Sequence, residues 1–149
     1  MFKARLKSCS FTFLLGLALA VTSQLANAAP FQKGYALVGD HLLEVELAAT
    51  STQRQIGLSN RGHDKKNYFM VFIFDAPQKV SFWMKDTKID LSLIFIDSNN
   101  RVNQITALKA NSLKRKSSKS SDIKYVLEVP KDYLTQNEIG VGDSFQLFK

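Results

Sequence analysis

Residues Val80–Asp97 have the sequence VSFWMKDTKIDLSLIFID, and their alternation of apolar and polar side chains decides the predicted fold. Successive side chains of a strand point to opposite faces, so Val80, Phe82 and Met84 share one face, which is predicted to be core. The second half of the stretch alternates in the same way. Asp86-Thr87-Lys88, between the halves, is typical of a turn. The stretch therefore predicts two adjacent, half-buried strands.

The opposite face of this predicted strand pair is the candidate ligand-binding surface. It consists of Trp83, Lys85, Asp90 and Ser92. If the turn places Lys85 opposite Asp90, their side chains lie about 5 Å apart beside the indole. An aromatic ring with adjacent donors and acceptors suits a sugar ring or an extended peptide. The alternative is that another element covers Trp83 and that the ion pair is an ordinary surface pair, worth ~0–1 kcal/mol.

The first 28 residues have the three parts of a secretory signal peptide. Three basic residues lie in the first seven positions, Phe11–Val21 is apolar, and Ala26-Asn27-Ala28 is a small-residue cleavage site. The apolar run is short for a membrane span, although an uncleaved anchor is the alternative. The sequence thus predicts cleavage near Ala28 and a periplasmic or secreted protein with no transmembrane span in its mature chain.

The remainder is long enough for a single domain. Cleavage leaves 149 − 28 = 121 residues, and the loss of three basic residues lowers the formal charge from +7 to 7 − 3 = +4. The only cysteine, Cys9, leaves with the signal peptide, so disulfide chemistry is excluded for the mature chain. We predict a flexible lead-in at 29–34 and one domain at 35–149.

Alternation and turn residues predict the other elements of this domain. A hairpin is expected at Tyr35–Val38 and His41–Ala48, about Gly39-Asp40. Thr50 and Gln53 fit a capping box that begins a short helix. Further strands are predicted at Tyr68–Phe74, Val102–Leu108, Tyr125–Val129 and Ser144–Phe148, and a helical turn at Lys131–Glu138. The fold class is mainly β: a compact antiparallel sandwich or small barrel of about seven or eight strands with two short helices.

Lys109–Lys124 differs from the rest of the chain in composition. It is rich in Lys and Ser, nearly lacks apolar residues, and includes Lys114-Arg115-Lys116. We predict an exposed, mobile loop there. Lys114, Arg115 and Lys116 could bind an anionic surface, and the alternative is a loop that is merely solvated.

Several segments resemble one known family in order and spacing. They are Gly57-Leu58 with Arg61, MVFIFD at Met70–Asp75, FWMKDT at Phe82–Thr87, Leu91 with Phe95-Ile96-Asp97, Tyr125–Glu128, and Gly142-Asp143. They resemble the RGLMFR, MLFVFD, FWMKNT, LDIAFID and YVLE…GD segments of the bacterial and archaeal domain of unknown function 192 family (DUF192). The motif positions carried over are Gly57, Leu58, Arg61, Phe82, Met84, Asp86, Thr87, Asp97, Glu128, Gly142 and Asp143. The resemblance implies a mainly β, sandwich-like, often exported domain without an established activity.

The chain departs from the family pattern at several positions. Asp86 stands where asparagine is usual, Ser92 replaces an acid, Asp90 replaces a proline, and Ser59-Asn60 replace an apolar–aromatic pair. Chemistry that needs an acid at the Ser92 position would therefore require Asp90 to replace it.

Candidate catalytic acids are present, but sequence alone does not assemble them. They are Asp75, Asp86, Asp90, Asp97 and Glu128. A glycoside hydrolase or lyase needs two carboxyls across one cleft, roughly 5–10 Å apart, whereas an aspartate at a strand end commonly forms a turn. His41 and His63 lack metal-ligand spacing, and no phosphate loop or nucleophile elbow is present. No metal or other cofactor is predicted.

These observations favour an exported cell-envelope protein that binds a glycan, peptide or protein without catalysis. One alternative is a hydrolase or lyase that acts on envelope polysaccharide or peptide through acids near Trp83. The other is a structural partner in an envelope assembly. Nucleic acid is not an expected partner, because export separates the protein from it.

Overall fold

The structure, a computed structural model, describes residues 30–61 and 68–149. In these residues the chain forms nine strands and two short helices. The strands are β1 (Gln32–Val38), β2 (His41–Ala48), β3 (Met70–Gln78), β4 (Ser81–Phe82), β5 (Leu91–Asp97), β6 (Val102–Leu108), β7 (Lys116–Ser117), β8 (Ile123–Pro130) and β9 (Phe145–Phe148). The helices are α1 (Ser51–Ile56) and α2 (Lys131–Gln136). The predicted mainly β fold with two short helices is confirmed.

Seven strands form one curled, half-barrel sheet in the order β6-β5-β8-β3-β2-β1-β9, while β4 and β7 pair separately. The two edges of the large sheet meet at one end, where Val102 N donates to Asp143 O at 2.9 Å. The neighbours β2 and β3 are parallel, which corrects the purely antiparallel prediction. The reason is the connection between them, which contains α1: parallel neighbours require such a crossover.

The sheet is apolar on both faces. One face packs a cluster that includes Met70, Phe72, Met84, Leu93 and Phe95. The other face packs a cluster that includes Val38, Val45, Ile94, Leu127 and Phe145. Strand β5, which lies between β6 and β8, supplies side chains to both clusters, and this explains its nearly continuous apolar sequence.

The predicted pairing of the two halves of Val80–Asp97 is wrong. The first half contributes only β4, which pairs with β7 through Ser81↔Ser117. The second half forms β5 from Leu91, and β5 pairs with β6 and β8. A strand that is buried on both faces lies inside a sheet, between two long neighbours, so β5 pairs with β6 and β8 and not with the short β4.

The predicted mobile loop at Lys109–Lys124 is in fact tied to the rest of the fold. It contains β7, and Ser118 N donates to Val80 O at 2.9 Å. The Ser118 hydroxyl also accepts from Val80 N at 3.1 Å. Backbone and hydroxyl groups make these bonds, so the polar composition that suggested mobility did not exclude order. Lys114 and Arg115 are nevertheless exposed, as predicted.

The N-terminal strand is longer than predicted. It begins at Gln32, so the lead-in is confined to residues before it, and Gln32–Gly34 pair with β2. Gly34 interrupts the alternation because the backbone of β9 passes close to it. A Cβ at Gly34 would lie 2.6 Å from Phe148 O. The hairpin turn is as predicted, and Gly39 has a φ of +55°.

The remaining differences concern the end of β3 and the residues that the structure does not describe. Strand β3 extends to Gln78, four residues beyond the end predicted at Phe74. The predicted signal peptide at 1–28 lies outside the described residues, as does His63. Among residues 30–61 and 68–149, no helix has the length and apolar character to cross a bilayer.

Candidate functional site

A cavity of about 730 Å³ opens between α1, the outer part of β3, β4 and the segment before β7. Its apolar lining consists of Ile56, Leu58, Phe72, Phe74, Val80 and Phe82. Its charged lining consists of Arg54, Lys79, Arg115 and Glu128. The lining also includes uncharged polar side chains, so polar and apolar groups contribute about equally to it. A concave site that combines apolar surface with convergent polar groups suits a small ligand.

The helix on one side of the cavity is fixed by the capping box that the sequence predicts. The Thr50 hydroxyl accepts from Gln53 N at 3.1 Å, and Gln53 Oε1 accepts from Thr50 N at 3.1 Å. Gly57 ends the helix with a φ of +50°, and a Cβ there would lie 3.3 Å from the Phe72 ring. The C-terminal end of α1 therefore packs directly on the Phe72 ring, which lines the cavity.

Trp83 lies at the mouth of the cavity, where 42% of it is exposed. The Arg115 guanidinium carbon lies 4.6 Å from the centre of its ring, and Lys85 Nζ lies 5.8 Å from it. Both distances allow a cation–π interaction. The indole is thus flanked by two cations from different parts of the chain.

The turn after Trp83 explains part of the FWMKDT motif. Thr87 N donates to Met84 O at 3.1 Å, and Asp86 has a φ of +57°. Aspartate and asparagine tolerate this left-handed conformation better than most residues do, which accounts for either of them at this position. Met84 N donates to Ser112 O at 2.9 Å, and this bond brings the segment that carries Arg115 over the cavity.

Glu128 is the acid in the wall of the cavity. In β8 it lies between Met70 of β3 and Leu93 of β5, and only 5% of it is exposed. No described residue forms a hydrogen bond with its carboxyl. Burial raises the pKa of Glu128 from 4.5 to about 8, although the charge of Arg61 acts in the opposite direction. The side chain is therefore mostly protonated at neutral pH.

Arg61 acts on two acidic side chains: it forms an ion pair with Glu46, and its charge lowers the pKa of Glu128. Glu46, Met70 and Glu128 follow one another in a row across β2, β3 and β8. Arg61 Nη2 lies 2.5 Å from Glu46 Oε2, a buried atom with no other partner among the described residues. Arg61 thus neutralises Glu46 and leaves Glu128 without a direct ion pair.

The structure brings together only part of the predicted ligand-binding surface. Trp83 and Lys85 are neighbours, as expected. Asp90 instead accepts from Ala110 N at 2.8 Å and lies 3.9 Å from Lys131 Nζ. Ser92 is buried in β5, on the face away from the cavity. The cause is the incorrect hairpin: without it, Lys85 and Asp90 are not opposed.

The family-motif positions divide between the cavity and distant turns. Those that line the cavity are Gly57, Leu58, Phe82, Thr87 and Glu128. Asp97 accepts from Asn99 N and Arg101 N at the start of β6, and Asp143 accepts from Gly140 N. Asp97 and Asp143 therefore act as turn residues, and the motif residues that line the cavity come from three separate segments.

Glu128 and Arg115 line the cavity but lie outside the ligand-binding surface that the sequence predicts. Glu128 appeared only as a motif position and a candidate acid, and Arg115 only as part of a basic loop. A signal for Glu128 was present, since an acid inside the apolar strand YVLEVP on the same face as Val126 must face the core. No comparable sequence signal identifies Arg115, because its position depends on the pairing of β4 with β7.

Other candidate acids have ordinary partners in the structure. Asp75 Oδ2 lies 3.8 Å from Arg54 Nη2 on the surface. In the described part of the chain, no three His, Cys, Asp or Glu side chains are grouped as metal ligands, and His41 packs edge-on against Tyr133.

The family model of DUF192, described as "Uncharacterized ACR", matches residues 35–147. The chain belongs to the DUF192 family. Crystal structures of other proteins resemble this DUF192 domain, two of them at 26% identity, and no curated protein matches it.

The first similar structure is a Sinorhizobium meliloti 1021 protein described as a "putative transcription regulator". It is 26% identical with a TM-score of 0.74, over 80% of this chain and 97% of that one. The second is a Novosphingobium aromaticivorans DSM 12444 protein of unknown function. It is 26% identical with a TM-score of 0.72, over 78% of this chain and 86% of that one.

Proposed function

We propose that this DUF192 protein is a non-catalytic ligand-binding module of the cell envelope, and that its ligand occupies the cavity beside Trp83. The observation that carries the proposal is the buried carboxyl of Glu128, which lines the cavity without a hydrogen-bond partner among the described residues. An unpaired buried polar group costs about 1–3 kcal/mol. A ligand that hydrogen-bonds Glu128 would recover part of that cost.

Trp83 supports a ligand that contains a ring. Its exposed indole forms a flat surface at the mouth, and the phenylalanines behind it provide apolar contacts. These features suit a sugar ring of an envelope glycan or a side chain of an envelope peptide. The placement in the envelope is supported by the basic start, apolar run and Ala26-Asn27-Ala28 of the sequence.

A thermal-shift screen against envelope glycans and peptides tests this proposal. A ligand that binds the folded protein raises its melting temperature. We expect Trp83→Ala to lose most of that response, whereas Tyr35→Ala, which removes an exposed aromatic ring outside the cavity lining, should retain it. An undiminished response in Trp83→Ala would place the ligand elsewhere. Phe82→Ala truncates a half-buried ring that packs against the core. Melting of Trp83→Ala as low as that of Phe82→Ala would show that the indole is structural.

A hydrolase or lyase acting on envelope polymers is the second candidate, and one observation favours it. Glu128 has a pKa of about 8, so it holds its proton at neutral pH, as a general acid must. Glu128→Gln separates the two functions, because glutamine preserves the shape and hydrogen-bonding capacity but cannot transfer a proton. A binding module would keep its affinity in this variant, whereas an enzyme would keep binding and lose turnover by orders of magnitude.

The "putative transcription regulator" from Sinorhizobium meliloti suggests DNA as another possible ligand. We favour the envelope, since an exported protein does not meet DNA. In that setting, the exposed Lys114 and Arg115 would face anionic lipids or polymers. Binding to anionic vesicles that weakens with salt would agree with this view, and specific binding to a DNA duplex would contradict it.

A further inference from the structure

We propose that the ligand is an organic anion, held with its charged oxyanion group at Arg115 and Lys79 and its uncharged body between the phenylalanines and Glu128. This inference deepens the proposed function and rests on it. It specifies both a chemical class and a direction of binding: the charge lies at the mouth and the neutral part inside.

The charge of the cavity lining favours an anionic ligand. Three cations line it, namely Arg54, Lys79 and Arg115, and of the described residues in its lining Glu128 is the only acid. A site lined by one sign of charge with apolar walls concentrates ligands of the opposite sign. A cationic ligand would have to pass Arg115 and Lys79 to reach Glu128.

The three cations of the lining differ in whether their donors already have partners. The guanidinium of Arg54 already has partners, because it donates to the carbonyls of Ala49 and Ile73 and lies beside Asp75. The guanidinium of Arg115 lies over the Trp83 ring and makes no hydrogen bond or ion pair with any described residue. Lys79 is exposed and likewise has no such partner in residues 30–61 and 68–149. A planar guanidinium with free N–H groups matches carboxylate, sulfonate and phosphate oxygens.

The aromatic interior of the cavity disfavours a second charge on the ligand. Phe72, Phe74 and Phe82 form its wall, and Phe82 packs edge-on to Phe72 with ring centres 4.9 Å apart. Burying an unpaired ion among such rings is costly. Glu128 carries its proton at neutral pH, so it offers an O–H donor to a carbonyl, hydroxyl or ether oxygen. The complementary ligand therefore has one anionic end and a neutral ring body with an oxygen acceptor.

Two fluorescent probes of the same shape test the proposal in the purified protein. One is 8-anilinonaphthalene-1-sulfonate, and the other is N-phenyl-1-naphthylamine, which lacks the sulfonate. Both brighten on entering an apolar site, and Trp83, the only tryptophan, reports their approach by loss of its own emission. We expect wild type to bind the anionic probe more tightly than the neutral one.

The variant Arg115→Met/Lys79→Met removes both unpaired cations, while methionine replaces the aliphatic part of each side chain. Its matched control is Lys88→Met/Lys109→Met, which removes the same charge at exposed positions outside the cavity lining. We expect the first variant to bind the anionic probe at least about tenfold more weakly, the loss of one or two charge-assisted contacts. Its affinity for the neutral probe should stay within about twofold of wild type, and the control should resemble wild type with both probes.

Phenylacetate and phenyl phosphate, used to displace the anionic probe, then identify the oxyanion. Either order of potency agrees with the proposal, and the stronger competitor shows whether a carboxylate or a phosphate ester is preferred. Equal affinity of wild type for both probes, or equal weakening by the two double variants, would overturn the assignment of an anion while leaving a ligand cavity in place. Failure of both probes to bind would instead overturn the proposed function.

Discussion

At the scale of single residues, Glu128 couples protonation to folding. Burial raises its pKa to about 8 in the folded protein, compared with an ordinary value of 4.5. Between these two values the folded state binds more protons than the unfolded state does. The free energy of unfolding therefore falls as pH rises from 4.5 to about 8, and the contribution of the protonated carboxyl is complete only below 4.5. Such a shift corresponds to a loss of several kcal/mol at high pH.

Glu128→Gln should remove this dependence, because glutamine stays neutral at every pH. We expect the variant to match wild type in urea denaturation near pH 4.5 and to be more stable at about pH 8.5. Glu138→Gln, which alters an exposed glutamate, should follow the wild-type profile at both pH values. Parallel pH profiles for wild type and Glu128→Gln would show that the buried carboxyl is not the linked group.

Residue-level prediction from the sequence succeeded where local chemistry decides the outcome. The capping pair Thr50–Gln53 and the outward direction of Trp83 are both found in the structure. It failed for Asp90 and Ser92, because their environment depends on which strand lies beside β5. A pattern of period two gives the two faces of a strand but not the identity of its neighbours.

At the scale of elements, the pairing of β4 with β7 positions one wall of the cavity. These strands have two residues each, and 33 residues lie between the end of β4 and the start of β7 (116 − 82 − 1 = 33). Neither strand has enough residues for a recognisable alternation, and β7 lies in the most polar part of the chain. The long strands could therefore be predicted, whereas this short pair, and with it the site of Arg115, could not.

Ser118 is the residue on which this pairing depends most. Only 2% of it is exposed, and its hydroxyl accepts from Val80 N at 3.1 Å and donates to Ser120 O at 2.7 Å. Ser118→Ala should lower the free energy of unfolding by about 1–3 kcal/mol, because it leaves the buried N–H of Val80 unpaired. Thermal or urea denaturation measures this change.

The neighbouring Ser117 provides the control. Its hydroxyl contacts the Ser81 hydroxyl at 3.2 Å on the exposed side of the same strand pair. Ser117→Ala should therefore change the stability by no more than about 0.5 kcal/mol. Equal costs for the two variants would contradict the view that Ser118 anchors the segment.

At the scale of the whole molecule, the cavity results from the way the chain covers one face of a curled sheet. The crossover that contains α1 and the pair β4–β7 both lie over the face that carries Phe72 and Glu128. Residues between Ser51 and Glu128 therefore meet in one site, although the chain shows no motif that groups them. The sequence could predict a mainly β domain, since alternation is local. It could not predict the cavity, since that depends on contacts between distant segments.

The placement of this molecule outside the cytoplasm is the last prediction. Residues 1–28 combine a basic start, an apolar run and Ala26-Asn27-Ala28, so we expect export and a mature chain that begins at Ala29, within one residue. N-terminal sequencing of the protein from the periplasm or medium measures this directly. Ala26→Asp/Ala28→Asp should block cleavage, because the peptidase requires small residues at these two positions, and a precursor 28 residues longer should accumulate at the membrane. A full-length wild-type chain in the cytoplasm would contradict export and, with it, the choice of envelope glycans and peptides as ligands.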